Sequence, residues 1–166
     1  MKRVLLSKIK AYLAKHYIDE QKTLSRYKSN MCLDDCQMTA PSVSLRLDEL
    51  MEDLDAGFSE TLLKLIDAKG KTDAEIYKRA NVDRKLFSKI RTNPNYRPSK
   101  PTVIAFAIAL ELNLEETQDL LSRAGFTLSH SSKFDVIIEF FIREKHYDVF
   151  EINEALFAFD QPVLGN

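Results

Sequence analysis

The stretch from Gly70 to Pro101 constrains the fold more than any other part of the chain, because helix start and stop signals crowd into it. Gly70 is the residue type that ends a helix, since it takes a left-handed conformation without steric penalty. Thr72 opens the next helix, and Glu75 three positions later completes a capping box. Asp83 supplies a further N-cap ahead of Arg84. Pro94, Pro98 and Pro101 then interrupt whatever follows. A segment punctuated this closely can form only short helices joined by tight bends. The spacing predicts an amphipathic helix over 58–68, a short one from Thr72 to near Ala80, and a third over 84–92.

The flanking segments read the same way. Pro101 is harmless in the first turn of a helix, and the apolar run VIAFAIALEL predicts a central buried helix over 102–112. Asn113 and Glu116 repeat the capping signal for a helix through Ser122, which Gly125 ends. Two more helical patterns cover about 133–145 and 147–158. Upstream, Val4, Leu5, Ile9, Tyr12, Leu13 and His16 recur at helical spacing over 3–18. Residues 19–41 are polar, lack periodicity and end at Pro41, so they read as a linker. Residues 42–55 read as an acidic helix, with Leu45, Leu47, Leu50, Met51 and Leu54 available for packing. No segment alternates in the manner of a strand, and the expected fold class is all-α.

Composition narrows the function. With 45% hydrophobic and 30% charged residues in 166, the chain has material for a real core. Four Gly and five Pro argue against long loops and many tight turns. No apolar run reaches the roughly 20 residues of a membrane span. Lys8, Lys10 and Lys15 break any signal-peptide core, so the expected location is cytoplasmic. Cys32 and Cys36 make no secreted disulfide framework. The three histidines, His16, His130 and His146, are scattered, so no metal site is expected. His130 lies in a Ser-His-Ser-Ser run that suits a helix cap before Lys133, and no nucleophile elbow accompanies it. The pairs Glu115-Glu116 and Asp34-Asp35 are helix-start and linker charges. No cofactor motif appears, and an enzyme is not expected.

Charge is segregated although the net value is only −1. Residues 61–100 carry 11 basic and 4 acidic side chains, and residues 101–166 carry 4 and 11. Such blocks can neutralise one another within the fold, or one can face a ligand.

The stretch DAEIYKRANVDRKLFSKIR, Asp73 to Arg91, resembles the helix-turn-helix of the phage-repressor-type (XRE-like) family. Ile76, Ala80, Val82, Phe87 and Ile90 occupy the inward positions that hold two crossing helices together. Asn81 sits at the bend, where a left-handed backbone is wanted. KPTVIAFAIALELNLEETQDLLSRAGF is similar to the fourth and fifth helices of the same family, so the resemblance covers residues 57–126. It implies a five-helix repressor-type core over 42–126 (the acidic helix leading it), with additional helices at 1–18 and 127–166 and a linker at 19–41. Two positions depart from the family. Asp73 stands where Gln commonly meets DNA phosphate, and Tyr77 where a small residue is preferred. The whole chain also looks like the helical tail that follows macrodomains in some bacterial proteins. It lacks the Gly-rich phosphate loop of such a module, so ADP-ribose binding is not implied.

The family resemblance implies a transcriptional regulator that binds double-stranded DNA sequence-specifically. With Leu86, Phe87 and Ile90 inward, Arg84, Lys85, Ser88, Lys89 and Arg91 face out, and Arg, Lys and Ser suit base edges in the major groove. Lys78, Arg79, Arg97 and Lys100 are expected at backbone phosphates. Reading two half-sites requires a homodimer. The aromatics Phe134, Phe140, Phe141, Tyr147, Phe150, Phe157 and Phe159 serve either core packing or a dimer seam. Glu151 and Glu154 belong to an acidic face that can shield the basic helix. The alternative reading is a protein-interaction adaptor that keeps the fold without binding DNA, with a protein as partner.

Overall fold

The computed structural model describes residues 3–17 and 56–165. The expected linker at 19–41, the acidic helix at 42–55 and both cysteines lie outside the described residues. Among the described residues there are eight helices and no strand. They are α1 (Arg3–His16), α2 (Phe58–Ala68), α3 (Asp73–Arg79), α4 (Arg84–Thr92), α5 (Lys100–Ala109), α6 (Leu114–Arg123), α7 (Lys133–Arg143) and α8 (Val149–Ala158). No described helix is long and apolar enough to cross a membrane.

The capping chemistry sets the helix starts. Thr72 Oγ1 accepts from the Glu75 backbone N–H while Glu75 returns a carboxylate to the Thr72 N–H at 2.8 Å. Asn113 and Glu116 do the same at 2.9 and 2.8 Å. Asp83 caps α4 through the Lys85 N–H at 2.6 Å. Ser132 caps α7 through the Asp135 N–H, as the Ser-His-Ser-Ser run suggested. These bonds satisfy donors that a helix start otherwise leaves open.

The helix ends correct the expectation drawn from the low glycine count. Asn81, Glu111, Lys145 and Asp160 all take positive φ, at 53–54°. Each lets the following N–H reach back to a carbonyl five positions earlier, as Val82 does to Tyr77 at 2.9 Å and Leu112 to Ala107 at 3.0 Å. The chain thus turns tightly without glycine. Glu111 in that conformation is why α5 stops at Ala109 rather than Leu112. The same helix begins two residues early, at Lys100, with Ser99 as N-cap and Pro101 in its first turn.

One hydrophobic cluster joins all eight helices. Helix α5 is buried from Thr102 to Ala109, as its apolar run predicted. Helix α7 is buried along its length too, from Phe134 to Ile142, and takes Asp135 and Glu139 inside with it. Packing against α7 are α1, α6 and α8. Ile9 anchors α1, and Ile152, Ala155 and Leu156 anchor α8, all fully buried. Each large apolar side chain removed from water contributes roughly 1.5–3 kcal/mol. The C-terminal helices therefore share the core of α2–α6.

Candidate nucleic-acid interface

Helices α3 and α4 are joined by four residues, Ala80 to Asp83, that carry the left-handed Asn81. All five inward positions read from the sequence are buried: Ile76, Ala80, Val82, Phe87 and Ile90. Phe87 meets Phe106 of α5 edge-on at 5.9 Å. Tyr77 is half-buried and lies 5.8 Å from the Phe87 ring, so its bulk fills the angle between α3 and α4. At the far end of α4, the buried Ser59 hydroxyl of α2 donates to the Asn93 carbonyl at 3.3 Å. Helix α4 is therefore fixed at both ends and along its inner face.

Its outer face is left to solvent. Arg84, Lys85, Ser88, Lys89 and Arg91 are all exposed, as are Lys78 and Arg79 at the end of α3. Among the described residues, Arg84, Lys85, Lys89 and Lys78 have no carboxylate within 4.0 Å. Lys78 of α3, Asn81 and Asp83 of the turn and Arg84 of α4 border an open hollow beside Tyr77.

The remaining candidates have partners. Arg91 is ion-paired with Asp73, the first residue of α3. Arg79 is ion-paired with Glu111 in the turn after α5. Lys100 is the clearest departure from a phosphate role. Its ammonium lies 2.6 Å from Asp135 Oδ2, and the Asp135 side chain is 2% exposed. That carboxylate also accepts the Ser129 N–H at 2.9 Å. Lys100 thus serves as the counter-charge of a buried acid. Arg97 is exposed and borders a cleft of about 500 Å³ with Tyr96, Asn95, Gly57 and Arg123. The loop after α4 splits accordingly: Tyr96 and Arg97 face the cleft, whereas Ser99 and Lys100 build α5.

A second polar cluster sits between α1 and α7. Glu139, with a 5% exposed side chain, accepts from His130 Nε2 at 2.7 Å, Arg143 Nε at 2.8 Å and the Tyr12 hydroxyl at 3.2 Å. Burial pushes its carboxyl up, but the Arg143 and His130 hydrogen bonds and charges outweigh that, and it titrates below the usual glutamate range. Burial and the Glu139 charge push the Tyr12 phenol up. His16 stacks on Tyr12 with ring centroids 4.2 Å apart. The cluster holds α1 in place. No group of three or more potential metal ligands occurs among the described residues.

Comparisons with protein-family models, with curated proteins and with solved structures find no match to this chain.

Proposed function

We propose that α3 and α4 form a helix-turn-helix and that the chain is a DNA-binding transcriptional regulator of the repressor type. The observation that carries this reading is the outer face of α4. Arg84, Lys85, Ser88 and Lys89 stand exposed on a helix whose inner face is locked into the core. A short helix presented this way fits the major groove, where Arg and Lys pair with guanine edges. Lys78 and Arg97 flank it as phosphate contacts. Asp73 acts on this face through Arg91, whose charge it occupies. Arg79, Arg91 and Lys100 contribute to the frame through their own ion pairs.

The test is fluorescence anisotropy of the protein with mixed-sequence duplex DNA. Wild type binds, and the Arg84→Glu/Lys89→Glu variant loses binding while keeping its helical circular dichroism. Equal binding by that variant would refute the assignment of α4.

A further inference from the structure

We propose that Asn153 of α8 is a positioning residue for DNA reading, acting through Leu164 and Gly165 on the bend between α3 and α4. This role rests on the nucleic-acid reading of α4, but its residues lie outside the helix-turn-helix. Asn153 is half-buried. Its amide does for Leu164 what a neighbouring strand does for extended backbone. The Leu164 N–H donates to Asn153 Oδ1 at 2.7 Å, and Asn153 Nδ2 donates to the Leu164 carbonyl at 3.2 Å. One side chain thus satisfies both backbone groups of Leu164, which is only 1% exposed.

The next residue meets the bend. Gly165 is buried, and an added Cβ would lie 2.6 Å from the Ala80 carbonyl oxygen, 2.7 Å from that of Asn81 and 2.9 Å from Asn81 Cβ. The backbone after α8 is therefore seated on the turn itself. Asn81 is the residue such support serves. Its φ of 53° is left-handed, a conformation that suits Gly better than Asn. Conformations of that kind persist where the surroundings over-determine them.

The aim of α4 depends on that residue. With Asn81 left-handed, the Val82 N–H reaches back to the Tyr77 carbonyl at 2.9 Å, and the chain leads straight into Asp83, the N-cap of α4. Ser59 holds the far end of α4 through Asn93, so the near end is set by the bend. Arg84 and Lys85 stand at that near end. When Leu164 and Gly165 leave the bend, Asn81 is free to relax, and these two cations are displaced furthest. Asn153 thus governs where α4 points without touching it.

Duplex binding and amide exchange, both measured on the whole chain, test this together. Asn153→Ala removes both hydrogen bonds, and the Asn81 and Val82 amides should exchange about tenfold faster while helical circular dichroism is kept. Affinity for mixed-sequence duplex should fall at least about fivefold. Asn153→Asp keeps the acceptor for the Leu164 N–H, so it should lie between the two, and it takes the place of the alanine variant should that chain unfold. The deciding substitution is Asn81→Gly, which holds the left-handed bend without help. Added to Asn153→Ala it should restore wild-type affinity, whereas a role confined to stability predicts no recovery. Unchanged exchange, wild-type affinity in a chain whose bend exchanges faster, or a loss that Asn81→Gly fails to restore would overturn the proposal. A wild type that binds no duplex at low salt would instead refute the nucleic-acid reading, and the role of Asn153 with it.

Discussion

Arg91, in the last turn of α4, is ion-paired with Asp73, the first residue of α3. The pair ties the two ends of the proposed helix-turn-helix together across the bend. It also suits both helix dipoles, with an acid at an N-terminus and a base near a C-terminus. The groups are 33% and 59% exposed, so the pair stabilises by under about 1 kcal/mol. Its larger consequence is electrostatic. Asp73→Asn should raise affinity for duplex DNA several-fold by freeing Arg91 beside the basic face. An anisotropy titration at fixed salt checks this, and lower affinity would show that the clasp is needed to aim α4.

Lys100 gives a contrasting prediction. Lys100→Met leaves the Asp135 carboxylate buried without its counter-charge, which costs about 3–5 kcal/mol. Chemical denaturation should show that loss. The folded fraction should bind DNA as the wild type does, since the ammonium is already committed to Asp135.

Glu139 predicts a pH dependence. Its carboxyl titrates lower in the folded chain than in the unfolded one. Its contribution is therefore complete above the ordinary glutamate range and is lost as pH falls through the folded value. Glu139→Gln should cost about 1–3 kcal/mol at neutral pH. Thermal melts of wild type and variant should then differ fully at neutral pH and draw together as pH falls below the ordinary glutamate range. A constant difference across that range would contradict the account.

Gly165 closes the chain's tail against the bend of α3 and α4. Its φ is +80°, and an added Cβ would lie 2.6 Å from the Ala80 carbonyl oxygen and 2.7 Å from that of Asn81. Asn153 holds the preceding residue, accepting the Leu164 N–H at 2.7 Å and donating to its carbonyl at 3.2 Å. Gly165→Ala should peel the tail away and expose Leu164. The loss is then bounded by the burial of one leucine, about 2 kcal/mol. Faster amide exchange at Ala80 to Val82 would report the same event, and unchanged exchange and stability would exclude it.

What the sequence made legible was local. Thr72 with Glu75, Asn113 with Glu116, and Asp83 place helix starts because a cap and its donors lie within three residues. The inward set from Ile76 to Ile90 was read through the resemblance of Asp73–Arg91 to a helix-turn-helix. The Lys100–Asp135 and Tyr12–Glu139 contacts were not legible, since the paired residues lie 35 and 127 positions apart. Counting glycines misjudged the turns, because Glu111, Lys145 and Asp160 adopt the left-handed conformation without them. Of the candidate site, the exposure of Arg84, Lys85, Ser88 and Lys89 could be read from the pattern. The ion pairs that occupy Arg79, Arg91 and Lys100 could not, as each depends on tertiary contact.

The central claim is that the outer face of α4 reads the groove while Lys78 and Arg97 neutralise backbone phosphate. Its most direct test is the salt dependence of duplex binding, compared between wild type and single neutralisations. Phosphate contacts release counterions, so log affinity should fall linearly with log salt in the wild type. Lys78→Ala or Arg97→Ala should lower that slope by about one. Lys100→Met should leave it unchanged. Absence of binding by folded protein at low salt, or slopes that ignore Lys78 and Arg97 but respond to Lys100, would contradict the account.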